Sequence, residues 1–471
     1  MTHSERIADF ALSLRAQDIP HDVAQLARLH ILDALGVGLA ASEGQVQQRM
    51  ASSLLRDNTQ ASGCTVFGHS AQTHAAQAAL LNGSFIHALE YDDTHMASIV
   101  HGSSVLVPAA LAAAEQHQLS LGELIRLVTI GWEVLVRVGL AAPGAFQRRG
   151  FQVTSVGGAL VSALIAGLAA GASRHELVWA QGIAGSQASG IFEFLSEGAT
   201  VKALHPGWAA HAGVMAAQLA SAGMTGPSTV YEGRFGLYKT YTDEPGAADA
   251  LAQELHSLGQ QWKLREAAFK LFPCCHYIHP FLEGVQRLLA QPLAMQDIAH
   301  IECRVPEGAA GIICEPWARK QTPLVLNEAK YSLPYCMALA FLDIPITAQH
   351  FLSTQVEADA VTLAQKISWT PMRDADFPNK FQAEIEVQCR DGQTAHVRID
   401  QVKGSAERPA SRQEIEAKFI GNTRTWAAGD APQRIIDCLL LGATELPVAQ
   451  LGALLRSVSA ADPISIHQGK P

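Results

Sequence analysis

Apolar residues recur at helical spacing along the first half of the chain. Val23, Leu26, Ala27, Ile31, Ala34 and Leu35 fall three and four positions apart, which places them on one stripe of a helix. The same period predicts helices over 45–56, 71–89, 105–117, 121–140, 157–170 and 209–222. Many of these carry Ala or Gly on the apolar face, so neighbouring axes can approach closely. The uncharged run 153–173 reaches spanning length, but its weak hydrophobicity and frequent glycines suit a buried core helix.

The period changes after about residue 267. Residues 298–305 alternate apolar and polar, as a half-buried strand does. Phe381, Ala383, Ile385, Val387 and Cys389 alternate too, and Asp391-Gly392 separates them from Ala395, Val397 and Ile399, which predicts a hairpin. Between these strands, 335–341 and 348–351 read as helix. Ser411 with Glu414 forms a capping-box signal, and helices resume to about residue 458. The expected fold is mainly α. A large all-helical domain made of 1–266 and 404–471 is interrupted by a smaller α+β lid domain, 267–403, with an antiparallel sheet. At 471 residues the chain is too long for one core, which agrees with two domains.

Composition narrows the class. Hydrophobic residues make up 48% and charged residues 17%, which argues against disorder and for a well-buried enzyme. A net charge of −10 gives no electrostatic reason to bind nucleic acid or an anionic membrane. An anionic substrate would therefore need a local patch of cations. The eight cysteines are scattered without a disulfide framework, and the N-terminus is polar and amphipathic; both fit a cytoplasmic protein with reduced thiols.

The densest chemistry lies in HALEYDDTHMASIVHGSSVLVP, residues 87–108, where Glu90, Asp92, Asp93, Thr94, His95 and His101 sit between apolar helical stretches. Burying so many ionisable groups together is costly unless they pair or meet a ligand. Three further polar islands surround Lys202 to His211, Lys270 to His279, and Arg149 to Ser155. Deprotonating carbon beside a carboxylate needs a placed base and cations where negative charge develops. His101 is a sensible base, with Lys202 and Lys270 as charge stabilisers, at a seam between the two domains that would exclude water. Taken singly, each has a plainer reading: His101 as a structural imidazole, Lys202 as a solvated lysine, Glu90 and Asp92 as helix caps or arginine partners. His95, His205, His211 and His279 read on their own as structural imidazoles.

Two motifs are set aside. Gly36 to Ala41 loosely matches a dinucleotide fingerprint but follows a helical pattern instead of a strand. Cys274-Cys275-His276 lacks a second ligand pair at zinc spacing, and Asp92, Asp93, His95 and His101 match no metal motif, so no metal is expected.

The ordered set of these islands resembles the MmgE/PrpD family. It runs from Asp18-Ile19-Pro20 and Leu32-Asp33-Ala34-Leu35-Gly36 through Glu90-Tyr91-Asp92-Asp93-Thr94, His101-Gly102-Ser103-Ser104, Gly150 to Thr154 and Lys202. It ends with Lys270 to Cys275 and Lys330 to Tyr335, and so covers nearly the whole chain. The resemblance implies a helical domain plus an α+β lid, a homodimer, and cofactor-free chemistry on small di- or tricarboxylates. Known members include 2-methylcitrate dehydratase, cis-aconitate decarboxylase and iminodisuccinate epimerase. Thr94, His101, Lys202 and Lys270 match positions lining the decarboxylase pocket. Glu90 stands where that branch has Asp, Gln152 where it has His, and Cys275 aligns with its second His, leaving His276 as a neighbour. Gly102 replaces a usual Pro.

The resulting expectation is a dehydratase-type lyase that abstracts an α-proton from a small di- or tricarboxylate resembling 2-methylcitrate. An epimerase of a dicarboxylate such as iminodisuccinate is the alternative, followed by cis-aconitate decarboxylation or non-catalytic carboxylate binding. The expected catalytic set is His101 as base, Lys202 and Lys270, Asp93 and Thr94 orienting His101 or a substrate hydroxyl, and His276 protonating the leaving group. Glu90, Asp92, Ser103, Gln152, His205 and Cys275 are expected to bind substrate. No cofactor, nucleic acid or membrane is expected.

Overall fold

A computed structural model describes residues 1–57, 59, 63–290, 298–353, 355–427 and 429–456. Its architecture is mainly α, with a small mixed α+β part toward the C-terminal half. The centre is built from Ala75–His87, Gly102–Gln116, Val153–Ala169 and Leu204–Ser221, which pack on one another. Every residue of Val153–Ala169 is buried, as the uncharged run requires. Small residues let these axes meet. A Cβ on Gly83 would fall 2.7 Å from the Cα of Gly207, and one on Gly213 would fall 2.3 Å from Ser162. His21–Ser42 runs through the decoy glycines as continuous helix, so Gly36 and Gly38 serve packing against Phe419 and Phe67. Among the described residues this helix alone is long and apolar enough to cross a membrane, and it is mostly buried within the protein.

The main sheet has four strands, Ile367–Met372, Ile298–Pro306, Ala383–Cys389 and Thr394–Ile399, in that spatial order. The predicted hairpin is present, with Gly392 in the left-handed region at φ 87°. The antiparallel expectation needs correction. Ile367–Met372 pairs parallel to Ile298–Pro306, so the sheet is mixed. That strand carries Pro371 and has no clean alternation, and a proline is tolerated there because the strand lies at an edge. Helices Leu333–Phe341 and Ala348–Leu352 lie where periodicity put them.

After the sheet the chain returns. Ser411 caps Arg412–Thr423 with Glu414 in a capping box, and this helix packs along His21–Ser42. The last described helix is Val448–Arg456; the expected helical continuation to 458 lies outside the described residues. A two-stranded ladder pairs Thr94 with Ala268 and His95 with Ala267. It brings the polar window of the first half beside the segment that carries Lys270.

Candidate active site

Local folding explains why the ionisable groups of the window converge. Ala75–His87 ends at His87, and the chain then turns through Glu90, whose φ of 55° is left-handed although it has a side chain. This turn aims the Glu90 carbonyl at Lys270, whose Nζ donates to it at 2.9 Å. Thr94–His95 joins the ladder, and reciprocal hydrogen bonds between His95 and Val100 fold the chain back. His101 thereby arrives at the N-terminus of Gly102–Gln116, its N–H donating to Thr154 Oγ1 at 2.9 Å. A Cβ at Gly102 would fall 2.5 Å from the Trp132 ring, which leaves no room for proline there.

A cavity of about 80 Å³ gathers Glu90, Thr94, His101, Lys202, Lys270 and His276 on its walls. Lys202, from the turn Thr200–Ala203, pairs with Glu90 Oε1 and donates to Tyr331 Oη at 3.1 Å. Lys270 Nζ lies 3.5 Å from Glu90 Oε2. Burial works to raise the Glu90 carboxyl, but the two ammonium groups hold it well below the usual range. Burial likewise works against the Lys270 ammonium, and Glu90 and Asp92 raise it overall. Lys270 is therefore charged, and Lys202 shares the same carboxylate with it.

Behind His101 runs a chain of buried polar contacts. Its Nδ1 lies 3.3 Å from Asp92 Oδ2, which also accepts from His87 Nδ1 at 2.8 Å. Gln152 Nε2 donates to His87 Nε2 at 3.1 Å, and His205 Nδ1 donates to Gln152 Oε1 at 2.8 Å. With the amide in this orientation, the proton of His87 sits on Nδ1 and points at Asp92. The His101 atom left for the cavity is Nε2. Burial and the Lys270 ammonium push His101 down to about 4, against the pull of Asp92, so its imidazole is neutral near pH 7. Burial acts to raise Asp92, and the two imidazoles bring it well below the usual range.

Several expected roles change. Asp93 does not touch His101: its Oδ2 meets His30 Nδ1 at 2.6 Å and its Oδ1 accepts the Ser103 N–H at 3.0 Å, so it anchors the helix start. Asp92, one residue earlier, is the acid beside His101, and it stands behind the imidazole and away from the cavity wall. Ser103 is buried outside the cavity lining and contributes its backbone to Asp93. His205 is held behind Gln152, also outside the lining, while Gln152 lines the cavity with both amide atoms already engaged. His276 does line the cavity, edge-on to Phe381 and His279. Burial and the neighbouring His279 and Lys270 put it well below the usual imidazole range, so it is neutral and a poor resting acid. Cys275 is a cavity-wall thiol that burial pushes up to about 11.

Other contributors carried no sequence signal strong enough to single them out. His87 opens the polar window but reads as the end of an apolar helix. Lys418, on the returning helix, donates to the carbonyls of Tyr91 and Lys270 at 2.9 and 2.8 Å and pairs with Asp33 at 2.6 Å. It ties both halves of the site together from more than 140 residues away in sequence, a separation no local pattern reveals. Gln147 lines the cavity from the short helix Ala145–Arg148.

His87, Asp92 and His101 bring three donor atoms within 4.8 Å of one another, a spacing a metal ion could use. The Asp92 oxygen already accepts from His87, and the charged Lys270 acts on both Asp92 and His101. A second cation would face repulsion there, so the three groups fit a hydrogen-bonded support for His101 better than a metal centre.

Comparison with known proteins finds matches along most of the chain. A family model described as the MmgE/PrpD N-terminal domain matches residues 5–249, and the MmgE/PrpD C-terminal domain matches 272–440. The chain is 30% identical over 468 residues to the cis-aconitate decarboxylase-like protein oryM of Aspergillus oryzae, covering 95% of this chain and 96% of that protein. It is 28% identical over 451 residues to cis-aconitate decarboxylase of Homo sapiens, covering 92% and 90%. It is 26% identical over 441 residues to the Aspergillus terreus enzyme of the same name, covering 88% of each.

Proposed function

Because this chain belongs to the MmgE/PrpD family, we propose that it is a dehydratase-type lyase acting by α-proton abstraction on a small carboxylic acid. The observation that carries the reading is the placing of His101, 3.3 Å from Asp92 and sharing a cavity with Lys202 and Lys270. His101 Nε2 takes the proton from the carbon beside a carboxylate. The electron pair of the broken C–H bond delocalises into that carboxylate, where the lysine ammonium groups stabilise the added charge. The pair then forms the C=C bond as the C–O bond to the β-hydroxyl breaks. The proton on His101 passes to the departing oxygen, which leaves as water. One residue serves as base and then acid, which removes the need for His276 as a proton donor. Thr94 Oγ1, buried in the cavity wall without a partner among the described residues, would hold the substrate.

A second reading, epimerisation, is favoured by one observation. His276 faces the same cavity with both ring nitrogens unpartnered among the described residues, so a proton could return to the opposite face of the carbon. Cis-aconitate decarboxylation ranks lower, because Gln152 replaces a titratable imidazole of that branch and its amide is engaged by His87 and His205. The test is turnover of a panel of β-hydroxy acids in deuterated water. Alkene formation that needs His101 supports the lyase. Deuterium in recovered substrate without alkene supports the epimerase. Panel turnover that survives His101→Asn would refute both.

A further inference from the structure

Gln147 differs from the other amide at this cavity. Both Nε2 and Oε1 are buried and lack any partner among the described residues, whereas both amide atoms of Gln152 are engaged. A buried amide with neither atom satisfied is unfavourable unless a ligand meets it. Its two atoms also specify that ligand. An ionised carboxylate has no proton to give and would satisfy Nε2 alone, while a hydroxyl or a carboxamide offers both a donor and an acceptor.

Charge on the walls points the same way. Lys202 and Lys270 face Glu90, which leaves one positive charge net, while His101, His276 and Cys275 are neutral. A tricarboxylate would bring three negative charges into a buried space that offsets one of them. Apolar side chains, Phe192, Phe194 and Phe381 among them, make up much of the remaining wall. We propose that the acid bound here is charged at one end only, with its carboxylate at Lys202 and Lys270 and an uncharged hydroxyl or carboxamide end held by Gln147 among these phenylalanines. This deepens the carbon-acid reading and rests on it for the orientation of the carboxylate.

Glutarate and its monoamide, glutaramate, test it, because they share a shape and differ in charge at one end. Isothermal titration of the full chain should give glutaramate binding about tenfold tighter than glutarate, and tighter than propane-1,2,3-tricarboxylate. Gln147→Leu should bring glutaramate to within about twofold of glutarate, as loss of one hydrogen-bonded end requires, at a melting temperature no lower than the parent's. Equal or tighter binding of either fully ionised acid overturns the proposal, as does absence of glutaramate binding or a preference that survives Gln147→Leu. Failure here would leave His101-dependent deuterium exchange intact. Loss of that exchange with the glutaramate preference preserved would instead remove the proton-transfer reading alone.

Discussion

Two sets of buried charge in this protein differ in saturation. Glu133 and Arg137, one turn apart on Leu121–Leu140, are fully buried and pair at 2.7 Å. Arg137 also donates to the carbonyls of Glu254 and Gln261 at 3.0 and 2.7 Å, and Glu133 accepts the N–H groups of Lys263 and Leu264, both at 3.0 Å. Each side-chain nitrogen and oxygen there has a partner. Glu90 and Asp92 are buried too, yet among the described residues Asp92 Oδ1, Thr94 Oγ1 and both nitrogens of His276 have no partner. Saturated charge fastens a helix to its loop. Unsaturated polar groups beside a cavity are arranged for something else to complete them.

The comparison breaks first at His101. His101→Asn should lower turnover by about 10²–10⁴-fold while the melting temperature stays near that of the parent, because asparagine keeps a donor toward Asp92 and only the base is lost. Steady-state kinetics beside a thermal melt checks both halves. Arg137→Met should do the reverse. It strands the Glu133 carboxylate, costing about 3–5 kcal/mol of stability in a denaturant titration, with turnover per folded molecule unchanged. If Arg137→Met silences the enzyme while it remains folded, saturation does not separate the two roles.

How much of this was legible in the sequence follows from the range of each contact. The helices around Val153–Ala169 and the hairpin at Gly392 come from local periodicity and turn chemistry, and both are present. The edge strand Ile367–Met372 was invisible because its pairing with Ile298–Pro306 joins segments over 60 residues apart and its proline masks the strand pattern. In the site, His101, Lys202 and Lys270 stood out as polar residues in apolar surroundings. The choice between Asp92 and Asp93 did not, since adjacent carboxylates have the same composition and only the turn at Glu90 decides which faces His101 and which faces His30. Gln147 and Lys418 were illegible for the same reason: an amide or a lysine on a helix signals nothing until its neighbours are known.

Acid titration sharpens the contrast with a somewhat smaller effect. His101 binds its proton at about 4 when folded and near 6.5 when exposed, so between those values the unfolded chain holds more protons. Stability therefore rises with pH across that window. The His101 contribution is complete above about 6.5 and is lost as pH falls through about 4, a difference of about 3 kcal/mol. Denaturant unfolding of parent and His101→Asn at a series of pH values should show this slope in the parent and its reduction in the variant. Equal slopes would mean that His101 is not held neutral by its surroundings.

The smallest effect belongs to Gln152, which stands between the two categories: it lines the cavity, yet its amide is as saturated as Arg137. Gln152→Leu removes the donor to His87 Nε2 and the acceptor for His205 Nδ1, costing about 1–3 kcal/mol of stability. Turnover should fall by less than about tenfold, because the loss reaches His101 only through the tautomer of His87 and the placing of Asp92. Nitrogen-15 shifts of His87 should then report a mixed tautomer in place of the single Nδ1–H form. A fall as deep as that of His101→Asn, with the His87 signal unchanged, would mean that Gln152 acts on the substrate directly, and a saturated amide would have to be counted among the groups that bind it.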